Sequence, residues 1–294
     1  MRVLITGSHG QVGYCLTEQL KECNNITVLA LDRDALDITD ETVVKRVVNE
    51  FQPNIIINAA AHTAVDKAEE EVELSYAINR DGPMYLAQVA QSINAAILHI
   101  STDYVFEGNK QGEYAENDAT NPQGVYGASK LAGEQAVAKA CNKHIILRTA
   151  WVFGENGNNF VKTMLRLGAT RNELSIVGDQ FGGPTYAGDI AKSLILIAKR
   201  IFLSDSEFEY GIYHYTGLPH VSWFEFAETI FDVALQSGVI SKKTSLTAIT
   251  TDQYPTAAKR PNNSCLSMEK IGSTFSIEPS NWKLALNNIQ AYVG

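Results

Sequence analysis

Tyr126 and Lys130 stand four residues apart in Gly124-Val125-Tyr126-Gly127-Ala128-Ser129-Lys130. The following segment, Leu131 to Val137, is rich in helix formers. On a helix, positions i and i+4 share a face, about 5–6 Å apart at Cβ. The spacing therefore predicts an ammonium beside a phenol. A free phenol, with a pKa of about 10, is a poor acid–base catalyst near neutrality. A neighbouring cation favours the phenolate and draws that pKa toward the working range. Tyr-x-x-x-Lys is a common pattern, and alone it predicts no more than a shared helix face. The rest of the chain decides whether chemistry goes with it.

A second constellation opens the chain. Val3 to Ile5 is a short apolar run that reads as a buried strand. It leads into Gly7-x-x-Gly10-x-x-Gly13 and then into Tyr14 to Leu20, which has helical spacing. Strand, glycine turn and helix form the context of a dinucleotide site. Glycines let the backbone approach a pyrophosphate, and the helix N-terminus offers unpaired N–H groups, here around Gln11 and Val12. A second strand, Ile26 to Leu31, ends at Asp32-Arg33. An acid about 20 residues beyond the glycines suits a ribose diol, and an adjacent arginine suits a 2′-phosphate. Asp32 points to NADH, and Arg33 keeps NADPH open. An ordinary β-α-β unit with a glycine turn is the alternative.

These residues need a scaffold. Strands are expected at Val3–Thr6, Ile26–Leu31, Ile55–Asn58, Ile97–Ser101 and His144–Arg148. Helices are expected at Gln11–Glu22, Asp40–Phe51, Glu69–Ser92 and Tyr126–Ala140. Such alternation predicts an α/β fold with a doubly wound parallel sheet of Rossmann type. Ligands then bind beyond the carboxyl ends of the strands. The loops there hold Gly7–Gly13, Asp32-Arg33, Ala59 to Asp66, and Ser101 to Gly108. Residues 1–150 are expected to form the dinucleotide-binding domain and 151–294 a smaller substrate lobe. Within the latter, Asp189–Phe202 reads as an apolar helix and Tyr210–Tyr215 as a strand.

Composition narrows the class. The chain has 294 residues, 45% of them hydrophobic, enough for a sizeable core. A net charge of −9 argues against a nucleic-acid surface. No apolar stretch reaches membrane-spanning length. With only Met1 and Arg2 before the first strand, no signal peptide is expected. Cys15, Cys23, Cys141 and Cys265 form no C-x-x-C pair and read as reduced thiols of a cytoplasmic protein. The histidines show no metal-ligand spacing, and no metal is expected.

Gly7-x-x-Gly10-x-x-Gly13, Ser101-Thr102-Asp103 and Tyr126-x-x-x-Lys130 together resemble the extended short-chain dehydrogenase/reductase superfamily. Within it, five segments are similar to dTDP-4-dehydrorhamnose reductases: Asn58 to Glu69, Ser101 to Phe106, Gly157 to Leu165, Gly182-Gly183-Pro184-Thr185 and Arg260 to Ser264. The resemblance runs from residue 1 to about 265. It implies reduction of the C4 ketone of dTDP-4-dehydro-L-rhamnose by NADPH or NADH. Tyr126 would then be the proton donor, Lys130 its neighbouring cation and ribose ligand, and Thr102 the hydroxyl on the carbonyl. Adjacent strand residues face opposite ways, so only one of Ser101 and Thr102 is expected to enter the site, and Thr102 is favoured.

Further roles come from the same resemblance. Asp37 and Ile38 would lie at the adenine side, with Ala59, Ala60 and Ala61 also against the cofactor. Thr63, Val65, Asp103, Tyr104 and Trp151 would contact the nucleotide sugar, and Arg260 its diphosphate, for which a guanidinium fork is well shaped. Core packing is the alternative for Trp151, and a solvated charge for Arg260. Asp66, Lys67, Glu69, Glu70 and Glu71 read mostly as a solvated helix start. Residues 187–218 are expected to return to the first domain, with the sugar in the cleft between lobes. Some relatives bind magnesium at a dimer contact through acids, but Cys15 and Gly188 depart from that pattern, and either a monomer or a homodimer is open. Two other readings are a related nucleotide-sugar epimerase or dehydratase, and a non-enzymatic regulatory subunit like that of methionine adenosyltransferase.

Overall fold

Val3, Leu4 and Ile5 are fully buried, as befits a strand covered on both faces. They lie in β1 (Arg2–Thr6) of a computed structural model that describes residues 1–204, 208–242 and 244–293. The first half continues through α1 (Gln11–Lys21), β2 (Thr27–Leu31), α2 (Glu41–Phe51), β3 (Ile55–Asn58), α3 (Val65–Ala68), α4 (Val72–Tyr76), α5 (Gly82–Ser92), β4 (Ala96–Thr102), α6 (Val125–Ala140) and β5 (His144–Thr149). Then follow β6 (Val152–Phe153), α7 (Phe160–Gly168), β7 (Glu173–Val177), β8 (Phe181–Gly182), β9 (Thr185–Tyr186), α8 (Ala187–Leu203) and β10 (Gly211–His214). The last elements are β11 (Val221–Ser222), α9 (Trp223–Gln236), β12 (Ser245–Ile249), β13 (Asn263–Ser264), α10 (Glu269–Phe275) and α11 (Trp282–Leu286).

Six strands make the main sheet in the order β10-β5-β4-β3-β1-β2, with every neighbouring pair parallel. One face packs on α1 and α8 through Leu16, Leu20, Ile190 and Leu194. The other packs on α2, α5 and α6 through Val44, Val48, Leu86 and Val137. The sheet is therefore doubly wound. Because α8 and β10 come from the C-terminal half yet join this sheet, the smaller lobe is interleaved with it. That lobe has its own aromatic core, including Phe153, Phe226, Phe231, Trp282 and Tyr292.

The helix expected over Glu69–Ser92 is broken up. Helix α3 ends at Ala68, α4 starts at Val72, and a π-type turn at Ala77–Asp81 separates α4 from α5. The side chain of Asn79, in that turn, is buried: Oδ1 accepts from His62 N at 2.8 Å, and Nδ2 donates to His62 O at 3.1 Å and to Ser129 Oγ at 3.0 Å. Turns of this kind are frequent at functional sites, and this one pins the loop after β3 against α6.

Candidate active site

From β1 the chain passes to β2 on one side and then to β3 on the other. A crevice opens where the strand order reverses in this way. Gly7 sits there with φ +71°, and a Cβ on it would lie 2.7 Å from the backbone of Ala60. A Cβ on Gly13 would lie 2.0 Å from Gly7 O. Only glycine fits either position, so the turn is pressed flat against Ala59–Ala61. Gly10 begins α1 and no side chain caps the helix, which leaves first-turn N–H groups for an anion. Beside them is a cavity of about 390 Å³ lined by Gly7, Gly10, Asp32, Arg33, Asp37, Ile38 and Ala59–Ala61, among others. Asp32 Oδ1 accepts from Ala35 N at 3.0 Å, and its Oδ2 lies 2.9 Å from His9 Nδ1. Asp37 Oδ1 accepts from Thr39 N and Oγ1 at 2.9 and 2.7 Å. This backbone cradle, uncapped helix and acid at a strand end fit a nicotinamide dinucleotide.

The Gln11 side chain does something different. Its Oε1 accepts from Asn159 Nδ2 at 3.0 Å, and Asn159 also caps α7 through Lys162 N. The first turn of α1 is thus tied to the C-terminal lobe.

Two strands along from β1, β4 delivers Ser101 and Thr102 to opposite sides. Ser101 Oγ donates to Glu134, which also takes a two-pronged contact from Arg148, with Nε at 2.9 Å and Nη2 at 2.7 Å. Thr102 Oγ1 accepts from Tyr104 N at 3.2 Å and donates to Asp103 Oδ1 at 3.0 Å, and it lies close enough to the Tyr126 hydroxyl to oppose the rise in that group's pKa. Helix α6 can reach these groups because its contact residues are small. A Cβ on Gly127 would lie 2.2 Å from Tyr104 O, and one on Gly133 would lie 2.0 Å from Asn79 O. Glu69 Oε1 accepts from Val125 N at 2.8 Å and closes the start of the helix.

Tyr126 and Lys130 are both buried, one turn apart. The Tyr104 ring meets that of Tyr126 edge-on, with centroids 5.3 Å apart. Burial raises the Tyr126 pKa above that of a free phenol, and the Thr102 hydroxyl opposes the rise. The expected lowering by Lys130 is not among the influences on the phenol, desolvation prevails, and the proton stays on the phenol, the state a donor needs. Lys130 Nζ donates to Ile100 O at 2.7 Å. Its own pKa is lowered to about 8 by burial, with Glu134 opposing.

Further residues gather beyond the strand end. Asp103 is buried and accepts from Ser264 as well as Thr102, and burial raises its pKa to about 6 against those two donors. Tyr104 is pushed up to about 12 by burial, then by Asp103. Arg260 Nη2 donates to Asp66 Oδ2, and among the described residues its Nη1 is buried without a partner. Val65 is half-buried at the start of α3, while Thr63 is exposed. Trp151 has φ +50° and stacks on Trp223 with centroids 3.5 Å apart. One face of its indole is therefore packed in the C-terminal lobe. Among the described residues, no group of three His, Cys, Asp or Glu is disposed to hold a metal ion.

The family model described as RmlD substrate binding domain matches residues 1–293. A dTDP-4-dehydrorhamnose reductase from Aggregatibacter actinomycetemcomitans is 53% identical over 291 residues, covering 99% of each chain. The chain belongs to the dTDP-4-dehydrorhamnose reductase family. The crystal structure of such a reductase from Clostridium acetobutylicum superposes with a TM-score of 0.90 at 42% identity, covering 98% of each chain. One from Bacillus anthracis in complex with NADP superposes at 0.87 and 41% identity, covering 98% of this chain and 97% of that one.

Within this member of the dTDP-4-dehydrorhamnose reductase family, several partners escaped sequence reasoning. Asp66, in the first turn of α3, and Glu69, just after it, do more than solvate a helix start: Asp66 holds Arg260 and Ala258 N, and Glu69 caps α6. Ser264, which holds Asp103, and Asn58 and His99, which underlie Lys130, are far apart in sequence. Asn58 and Ser264 do lie within the segments that carry the family resemblance, which was the one available signal. Among the described residues, no helix is long and apolar enough to cross a membrane.

Proposed function

We propose that this chain reduces the C4 ketone of dTDP-4-dehydro-L-rhamnose to dTDP-L-rhamnose, using NADPH or NADH. One observation carries the reading. In a chain of this family, Tyr126 is buried beside the Thr102 hydroxyl with Lys130 one turn on, at the carboxyl end of the sheet that also bears the Gly7–Ala60 cradle.

The bound nicotinamide supplies the hydride. As the ketone oxygen gains charge, Tyr126 gives it the phenolic proton, and Thr102 Oγ1 steadies the same oxygen by hydrogen bonding. Lys130 offsets the charge of the phenolate left behind and binds the nicotinamide ribose. Gln11 and Val12 hold the pyrophosphate through backbone N–H groups, Asp32 and Arg33 take the adenosine ribose, and Asp37 and Ile38 flank the adenine. Thr63, Val65, Asp103, Tyr104 and Trp151 line the sugar, and Arg260 takes the diphosphate. Free Cys15, Cys23, Cys141 and Cys265 support a cytoplasmic setting, and we infer a monomer or homodimer with no nucleic-acid or membrane partner.

The test is nicotinamide oxidation followed at 340 nm with dTDP-4-dehydro-L-rhamnose, run with NADPH and NADH in parallel (the wavelength is about that of the reduced nicotinamide band). The reading expects one cofactor oxidised per ketone reduced. An epimerase would show no net oxidation, and a regulatory subunit would show no turnover at all.

A further inference from the structure

Asn58 and His99 are register partners on the adjacent strands β3 and β4, and both are fully buried. Asn58 Oδ1 accepts from Ala60 N at 3.1 Å and from Thr6 Oγ1 at 2.6 Å. A backbone N–H can only donate, so it fixes which end of the Asn58 amide is oxygen. Asn58 Nδ2 then faces His99 Nδ1, 3.0 Å away. An amide nitrogen also only donates, so Nδ1 of a neutral His99 accepts and the ring proton sits on Nε2. The ring is held neutral, its pKa kept well below 6.5 by burial and then by Lys130. Its Nε2 lies 3.5 Å from Lys130 Nζ. The positive end of a ring N–H therefore faces the Lys130 ammonium.

We propose that His99, with its tautomer set by Asn58, is a positioning residue that adds to burial in disfavouring the ammonium form of Lys130 and so lowers the upper pH limit of the reaction. This rests on the reading of Lys130 as the active-site cation. The neighbours Ile97 and Leu98 on the same strand are buried and apolar, so packing alone would be met by another aliphatic side chain. A buried polar ring is costly unless its hydrogen bonds are used, and here one nitrogen is engaged by Asn58 while the other faces Lys130.

The other titratable and charged groups around Lys130 define the balance. Glu134, on its own helix, favours the ammonium, but its charge is shared with Arg148 from β5 and with Ser101 from β4. Ile100 O, from β4, accepts from Nζ and also favours the ammonium. Tyr126 lies one turn back on α6. His99 is the group whose fixed tautomer works against them.

The experiment is the pH dependence of kcat/KM for the sugar nucleotide at saturating NADPH, in the wild type and in His99→Met, Asn58→Asp and Lys130→Met. The alkaline limb of the wild type reports loss of the ammonium. His99→Met removes the N–H that faces Nζ and puts a thioether, which has no donor, in its place, and is expected to move that limb up by about one pH unit. Asn58→Asp is isosteric, accepts from Nδ1 and reverses the tautomer, and its carboxylate charge also favours the ammonium, so it moves the limb the same way and further. NADPH affinity, measured on the same proteins, stays near the wild-type value in both. If either variant fails to fold, the other decides. A limb that stays in place or moves down in the folded variants overturns the proposal, since a merely structural role would lower activity without moving it. Persistence of the limb in Lys130→Met would show that it belongs to another group, and would overturn the reading of Lys130 and the inference with it.

Discussion

Asp66, on α3, accepts a hydrogen bond from Arg260 across 194 residues of chain, and the second nitrogen of that guanidinium, Nη1, is buried and unpartnered among the described residues. The other Asp66 oxygen accepts from Ala258 N at 3.0 Å. Asp66 thus fixes the Ala258–Arg260 segment beside the loop that follows β3. One guanidinium nitrogen is occupied and one is left with an unmet donor, which is costly when buried. A diphosphate oxygen would satisfy it.

Arg260→Ala should therefore weaken the sugar nucleotide. Loss of a charge-assisted hydrogen bond costs about 1.5–3 kcal/mol, which corresponds to roughly a 10- to 150-fold rise in KM. NADPH affinity should be unchanged, because the cofactor pyrophosphate belongs to the Gly7–Gly13 turn. Arg260→Lys should recover only part, lacking the fork. Steady-state kinetics at saturating cofactor check both variants, and an unchanged KM in the alanine variant would remove Arg260 from the site.

Tyr126→Phe keeps the edge-on contact with Tyr104 and removes the proton. The expected loss in kcat is about 10²- to 10⁴-fold, the range for a positioned acid, with NADPH binding close to normal. Near-normal turnover would mean that another group donates the proton.

Arg33 lines the same cavity as Asp32, whose Oδ2 is already 2.9 Å from His9 Nδ1. Arg33→Ala should weaken NADPH more than NADH, since only the former carries a 2′-phosphate for a guanidinium to meet. Fluorescence titration of both cofactors compares the two losses; equal losses would place Arg33 away from the adenosine ribose.

Lys130 links pH to stability. Burial lowers its native pKa from 10.5 to about 8, so below about 8 the folded state carries the full cost of a buried ammonium. Between about 8 and 10.5 the folded state releases a proton that the unfolded chain keeps, and stability rises with pH. Relative to Lys130→Met, which does not titrate, the wild type should gain on the order of 3 kcal/mol across that window. Urea unfolding of both proteins at several pH values measures the difference; parallel curves would show that Lys130 does not titrate there.

The sheet was legible because its strands are buried on both faces and write themselves as apolar runs, as at Val3–Ile5 and Ile55–Ile57. Strand alternation required that only one of Ser101 and Thr102 enter the site, the family resemblance favoured Thr102, and Ser101 does turn the other way, toward Glu134. The π-type turn was not, because Asn79 and its partners His62 and Ser129 leave no periodic trace. Nor were the two-residue strands of the C-terminal lobe, which are too short to alternate visibly. Contacts such as Asp66 with Arg260 and Asp103 with Ser264 join segments that only the folded chain brings together. The cation's effect on Tyr126 was overestimated from sequence for the same reason: spacing shows the neighbour but not the depth of burial.

The central claim is that hydride passes from the nicotinamide to C4 of the sugar while the chain supplies the proton. Its most direct test is to run the reaction with NADPH carrying deuterium at both C4 positions of the nicotinamide and to analyse the nucleotide sugar by mass spectrometry and NMR. The account predicts one deuterium per dTDP-L-rhamnose, bound to C4, with equimolar NADP⁺. Product formed without deuterium, or with deuterium at any other carbon, would contradict it.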